Sequence, residues 1–236
     1  MENMKKKIGL VVIATGKYDQ FIPPLYKSVQ KYFMANHDAK IFCFTDGSIP
    51  ENDKIVRIQH EHEPWPGSTL FRYRAFTTHK EILSEMDYLF YCDADMRFVA
   101  PVGDEILPDE NSNGLVGTIH PGFYNKNRIE YTYETNPLSL AYIAPDQGKI
   151  YFAGGFNGGT SEAFLKMSEI LSNNIDIDLK GGIIAKWHDE SHFNAYFSIE
   201  KPNKILDCSY CYPESWNIPF DKKLLALDKN HSEVRI

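Results

Sequence analysis

A doubly wound α/β domain is the fold class this sequence predicts, and three observations carry the prediction. The first is Gly9-Leu10-Val11-Val12-Ile13, an almost unbroken apolar run of the kind that central parallel strands bury on both faces. The second is the order of apolar runs and helix-period segments up to residue 95, which reads strand, helix, strand, strand, helix, strand. The third is Asp93-Ala94-Asp95, which closes the run Tyr88-Leu89-Phe90-Tyr91-Cys92 at a carboxyl edge, where such sheets bind ligands.

In chain order, the first strand spans Ile8 to Thr15. Pro23 and Pro24 open a helix whose Leu25, Val29 and Phe33 are spaced for one face. Lys40 to Phe44 is a second strand, closed by Thr45-Asp46-Gly47, and Lys54 to Gln59 is a third. Ser68 to Met86 reads as one long helix leading into the aspartate-bearing strand. Gly114 to Thr118 is a strand, followed by His120-Pro121-Gly122-Phe123 and a polar, tyrosine-rich loop. Another strand covers Lys149 to Ala153, and the glycines Gly154, Gly155, Gly158 and Gly159 follow it, letting the backbone approach a ligand closely. Helices are expected from Ser161 to Asn173 and from Asp189 to Ile199, and an irregular segment from Pro202. No repeat or linker interrupts the 236 residues, so one domain is expected.

Composition narrows the function. Hydrophobic residues at 43% and charged residues at 24% describe an ordinary soluble globular protein. A net charge of -7 argues against nucleic-acid binding, which needs a basic face to release counterions. No apolar stretch approaches the ~20 residues of a membrane span, and Met1 to Lys7 leaves no room for a signal peptide. The cysteines at 43, 92, 208 and 211 make neither a disulfide framework nor a full zinc set, so the cytoplasm is the simplest compartment.

The chemistry concentrates in two segments. In a strand, side chains at i and i+2 share a face, so Asp93 and Asp95 can project together. Two convergent anions need positive charge between them, and a hard divalent cation with spare positions for a phosphate is the simplest partner. A plainer reading makes them an acidic strand-to-loop turn in which Asp95 caps the next element. Trp187-His188-Asp189-Glu190-Ser191-His192 is the second segment. It misses the zinc-protease pattern because Asp189 stands where that pattern needs Glu, and Asp189 or Ser191 would cap a helix there. Trp187, His188 and Glu190 together suit a sugar, with stacking on its apolar face and a carboxylate near the anomeric carbon. The glycine cluster has neither the P-loop lysine nor the Rossmann spacing. Arg72 and Arg74 lie on a helix near the aspartates, where an arginine can reach a diphosphate or steady a carboxylate.

His120-Pro121-Gly122-Phe123-Tyr124, Tyr131-Thr132-Tyr133-Glu134, the 154–159 glycines, Trp187 to Ser191 and the ending Lys229-Asn230-His231 with Val234-Arg235 occur together and in order. The chain thereby resembles glycosyltransferase family 6, the α1,3-galactosyl and N-acetylgalactosaminyl transferases that include the blood-group A and B enzymes. The resemblance implies a GT-A fold with a Rossmann-like domain and a mixed central sheet. It also implies retaining transfer of GalNAc or Gal from a UDP-sugar to the 3-hydroxyl of a galactoside, plain or fucosylated. On this reading residues 1–100 form the nucleotide-binding half and 101–236 the acceptor-binding half, with a flexible C-terminal tail. Ile13, Ala14, Thr15 and Tyr18 would line the uridine pocket, and Arg72 would sit near the donor and the reacting centre. Asp93 and Asp95 would hold Mn²⁺ and, with Ala94, the ribose-diphosphate; Ala153, Gly154, Gly155 and Asp189 would border the donor sugar. His120, Thr132, Trp187 and His188 would grip the acceptor, beside Glu190 as nucleophile or stabilising carboxylate. Lys229 and Arg235 would close over the diphosphate. Small residues at 153 and 155 would leave room for an N-acetyl group. The family's acceptor-binding Trp and Asp are missing around Tyr210 to Glu214, and the animal enzymes' N-terminal anchor is missing too, as in the soluble microbial branch.

Three rival readings use the same residues. A haloacid-dehalogenase-like phosphohydrolase also places Asp-x-Asp after an apolar strand, but Arg97 stands where Thr or Val is expected. The others are an enzyme using a different UDP-hexose, such as UDP-glucose, and a non-catalytic carbohydrate- or nucleotide-binding module.

Overall fold

The computed structural model describes residues 5–109 and 112–234. Its first part runs β1 (Lys7–Ile13), α1 (Ile22–Tyr32), β2 (Asp38–Thr45), β3 (Ile55–Gln59), α2 (Gly67–Leu70), α3 (Arg72–Thr78), α4 (Lys80–Leu83) and β4 (Tyr88–Cys92). Then come β5 (Met96–Phe98), β6 (Leu115–Ile119), β7 (Phe152–Thr160), α5 (Ser161–Lys180) and α6 (His188–Ile199). The chain ends with β8 (Lys204–Leu206), β9 (Tyr212–Pro213), β10 (Leu224–Ala226) and α7 (His231–Val234).

Seven strands form one sheet in the order β3-β2-β1-β4-β7-β6-β8. Only β7 runs against the rest: it is antiparallel to β4 and β6, while the other pairings are parallel. The 3-2-1-4 order is that of a doubly wound half, and with β7 it makes the mixed α/β sheet of a GT-A-type fold. A small second sheet, β5-β10-β9, lies beside it.

Alternation along β1 explains the layering. Ile8, Leu10, Val12 and Ala14 pack with Leu25, Val29 and Phe33 of the α1 segment on one side. Val11 joins Phe76, Phe164, Leu171, Phe193 and Phe197, from α3, α5 and α6, on the other. With helices on both faces the central strands have no polar side to show, which is why β1 and β4 read as continuous apolar runs.

Four regions depart most from their sequence-based reading. The helix expected over Ser68 to Met86 is three short helices, interrupted at Phe71 and His79. Near the second break Thr77 and Thr78 both donate their hydroxyls to the Arg74 carbonyl, and His79 Nδ1 lies 3.0 Å from the Ala75 carbonyl, competing with the helix ladder. The strand expected over Lys149 to Ala153 begins only at Phe152 and continues through the glycines to Thr160. The glycines are needed by the sheet itself: a Cβ on Gly158 would lie 2.4 Å from the Phe90 ring and 2.5 Å from the Leu89 carbonyl. Helix α5 runs past Asn173 to Lys180, because Ile175 and Asp178 continue its buried face. The region after Pro202, expected to be irregular, holds the three short strands β8 to β10.

Phe156, fully buried on β7, stacks against Phe90 at 5.8 Å and Tyr210 at 6.4 Å and meets Phe98 edge-on. Phe156→Ala should therefore destabilise the protein by about 3–5 kcal/mol, read as a lower urea midpoint at unchanged slope.

Candidate active site

The strand order reverses between β1 and β4, and one pocket opens at their carboxyl ends. Ile13, Thr15 and Tyr18 line it from the end of β1; Asp93, Ala94 and Asp95 line it from the turn after β4; Arg72 and Lys229 complete it. Two expected residues stand apart. Ala14 is turned into the core by the alternation that puts Ile13 and Thr15 on the pocket wall, and Arg235 lies outside the described residues. Asp93 and Asp95 do not share a strand face, since β4 ends at Cys92; the turn beyond it brings both into the pocket. Asp93 accepts a 2.6 Å hydrogen bond from the Tyr91 hydroxyl. Asp95 is buried and ion-paired with the Lys229 ammonium, which also sits 5.7 Å from the Tyr18 ring centroid.

Arg72 joins this pocket to the second acidic segment. It is buried, and its Nη1 donates to the Gly154 carbonyl at 3.1 Å. Its Nη2 lies 3.6 Å from Asp93, its Nε lies 2.8 Å from Asp189, and its guanidinium lies 4.3 Å from the Tyr91 ring centroid. Burial alone would lower the Arg72 pKa, but the field of Asp189, then of Tyr91 and Asp93, keeps it above its usual value. Burial pushes Asp189 up to about 7 against the pull of Arg72. Asp189 is not the helix cap its position suggested. The Trp187 N–H is satisfied by Ser191 Oγ at 2.9 Å, which leaves Asp189 free to turn inward toward the guanidinium.

Glu190 stands on the other side of the same backbone. Its two oxygens accept the Gly154 N–H at 2.8 Å and the Tyr151 hydroxyl at 3.1 Å. Burial raises its pKa, and those two donors work against the rise. A Cβ on Gly154 would come within 3.3 Å of Glu190, and one on Gly155 within 2.9 Å of both Asp93 Oδ2 and Met96 Cε. Two carboxylates thus pack on adjacent peptide units of β7. The space above Gly155, expected to admit a sugar substituent, is already filled by Asp93 and Met96, while Ala153 is buried.

The remaining expected residues form a chain of contacts leading away from Glu190. The Tyr151 hydroxyl lies 3.5 Å from Thr132 Oγ1, which accepts the Trp187 indole N–H at 2.9 Å. Trp187 is 47% exposed, so its ring offers a flat apolar surface at the mouth of the site. His120 packs 5.6 Å from Tyr151, and burial lowers its pKa to about 4, leaving a neutral imidazole near pH 7. His188 has a left-handed backbone, φ 51, and its ring meets Trp65 edge-on at 4.9 Å. Sequence reasoning missed His62, Trp65, Ser68, Thr69, Tyr91 and Val234 in the pocket, and Tyr151 beside Glu190. Trp65 was findable: it follows β3 in a Pro- and Gly-punctuated loop at the carboxyl edge.

The crevice lies at the switch point where doubly wound sheets bind ligands, with two aspartates in it and Glu190 on the Gly154 backbone beside it. The chain belongs to Glycosyltransferase family 6, whose model matches it over residues 1–236. It is 34% identical over 242 residues to histo-blood group ABO system transferase 1 of Rattus norvegicus, covering 97% of this chain and 68% of the relative. It is 32% identical to globoside alpha-1,3-N-acetylgalactosaminyltransferase 1 of Homo sapiens, with the same coverage. The O-antigen biosynthesis glycosyltransferase WbnI of Escherichia coli is 30% identical over 225 residues, or 94% of each chain. No helix among the described residues is long and apolar enough to cross a membrane.

Removing the buried guanidinium should leave Asp189 without a partner. Arg72→Leu should cost about 3–5 kcal/mol, whereas Arg74→Leu, which breaks the exposed pair with Asp176 and a guanidinium contact on the Phe71 ring, should cost about 1 kcal/mol. Urea melts of the two variants side by side check the contrast.

Proposed function

We propose that this enzyme moves GalNAc or Gal from a UDP-sugar to the 3-hydroxyl of a galactoside, plain or fucosylated, with retention at the anomeric carbon. One observation carries the reading. Arg72 touches Asp93, Gly154 and Asp189, so the diphosphate side and the Glu190 side of the reaction meet on a single cation. The names of the rat, human and E. coli relatives support the reaction class.

Residues 1–100 would carry the nucleotide, with uridine between Thr15 and Tyr18, and residues 101–236 the acceptor. Thr132, Trp187, His188 and His120 would hold that acceptor, Trp187 by stacking on a sugar face. As the sugar–phosphate bond breaks, negative charge grows on the diphosphate, and Lys229, Arg235 and Arg72 stabilise it. Positive charge grows on the anomeric carbon, and Glu190, held at both oxygens, stabilises or captures it. The four free cysteines, all buried, support a cytoplasmic home.

The donor set suits a divalent ion such as Mn²⁺. Asp93 and Asp95 offer hard oxygens, and among the described residues no cluster of three or more His, Cys, Asp or Glu could hold an ion. The rest of the shell would come from diphosphate and water, the usual pattern for nucleotide-bound ions. Among the described residues the cations paired with Asp93, Asp95 and Asp189 are Arg72 and Lys229, and a divalent cation would add positive charge beside the two pocket aspartates. The ion would supply charge neutralisation of the leaving diphosphate.

Glu190→Gln should lower turnover by roughly 10²-fold or more with UDP affinity kept within about twofold, because it removes charge only where the transition state needs it. Equal turnover would remove Glu190 from the chemistry. Asp95→Asn should abolish stimulation by Mn²⁺, and equal wild-type rates in chelator and in Mn²⁺ would end the metal assignment. A screen of UDP-GalNAc, UDP-Gal, UDP-GlcNAc and UDP-Glc against lactose and fucosylated lactose, reading UDP release, tests donor and acceptor together. Phosphate release from simple phosphoesters, or binding without turnover, would contradict the proposal.

A further inference from the structure

Glu134 is buried, contributes nothing to the donor pocket, and makes contacts unusual for a loop carboxylate. Its Oε1 accepts the N–H groups of Thr135 and Asn136, each at 2.8 Å, and its Oε2 accepts the Lys186 N–H at 2.7 Å. Thr132 lies two positions before Glu134 and Trp187 directly follows Lys186. One carboxylate therefore ties together the two chain segments whose side chains meet in the Trp187 to Thr132 hydrogen bond. The tie has a second anchor. Asp178 of α5 accepts the Ser139 hydroxyl at 2.5 Å and the Leu140 N–H at 2.9 Å, and His192 of α6 lies 3.5 Å from it. The Ile143 N–H closes the loop back onto the Glu134 carbonyl at 3.1 Å.

We infer that Glu134 is a positioning residue for acceptor recognition: it fixes the spacing between Thr132 and Trp187, and so the slot in which the acceptor sugar lies. The inference rests on the transferase reading above and deepens it, since it concerns that site's acceptor side alone. A carboxylate is required by the donor count. Three N–H groups point at two oxygens, and an amide in its place offers one oxygen and one NH₂, so at least one N–H would face another donor. The donor side should not register the change. Gly154 and Arg72, which hold Glu190 and Asp93, make no hydrogen bond to Glu134, and Tyr151 meets Thr132 only at 3.5 Å, a long and weak contact.

The test compares wild type, Glu134→Gln and Glu134→Asp in two assays: transfer to lactose, and slow hydrolysis of the UDP-sugar without acceptor. Loss of one buried charge-assisted hydrogen bond should raise the acceptor KM about tenfold in Glu134→Gln, leaving donor KM, UDP affinity by calorimetry and donor hydrolysis within about twofold. Glu134→Asp keeps the charge but shortens the arm, so it should release Lys186 and show the same split. UDP affinity doubles as the check that each variant is folded, and its loss in both variants would overturn the inference. A parallel fall in hydrolysis and transfer, or an unchanged acceptor KM, would overturn the inference. A wild type that releases no UDP would instead sink the transferase reading beneath it.

Discussion

The site depends on one buried guanidinium. Asp93, Asp189 and Glu190 gather around the Gly154-Gly155 backbone, and like charges so placed raise one another's proton affinity unless a cation lies among them. Arg72 is that cation. A lysine could not replace it, because the contacts leave from three different nitrogens in one plane toward a carboxylate, a carbonyl and a second carboxylate. The Tyr91 ring beneath the guanidinium protects it from water without competing for its N–H groups. Buried ion pairs of this kind are poor devices for stability alone. Their value here is geometric: the pair fixes where the acids point.

The β7 backbone is the second constraint. It is the one strand running against the sheet, and it lies between β4, which delivers the aspartates, and the α6 start, which delivers Glu190. Glycine at 154 and 155 lets carboxylates rest directly on peptide units, with the Gly154 N–H given to Glu190 and its carbonyl given to Arg72 and Asn157. One residue, through its two flanking peptides, thus ties the position of Glu190 to that of Arg72. Side chains at these positions would act first on the aspartate and the glutamate, and only then on a sugar.

Much of this was legible in the sequence, for identifiable reasons. The continuous apolar strands and the Asp-x-Asp at a carboxyl edge are local signals, and the structure opens a crevice lined by both acids at that edge. The glycine cluster was misleading because glycine marks turns more often than central strands, and its sheet role depends on Phe90 and Leu89, more than sixty positions earlier. The inward turn of Asp189 was hidden for a similar reason. Asp and Ser both cap helices, but here neither does: Ser191 accepts the Trp187 N–H from within the first turns, and the tertiary position of Arg72 draws Asp189 into its pair. Ala14, named for the uridine pocket by the family resemblance, has its side chain in the core beside Val12 and Leu25, while Ile13 and Thr15 line the pocket.

The two sides of the site are also built differently, and the difference has a functional logic. The donor side stands on the central sheet, where its acids sit directly beyond strand ends. The proposed acceptor side stands on a loop between β6 and β7 that has little regular structure. A loop holds a precise slot only if its backbone polar groups are satisfied internally, and here the buried carboxylates of Glu134 and Asp178 do this by collecting N–H and O–H donors from it. The aromatic layer of Tyr131, Tyr133, Tyr151 and Phe123 then packs beneath it as a small separate core. Sheet-borne acids can stay constant while such a loop changes, so acceptor choice can vary over an unchanged bond-breaking centre.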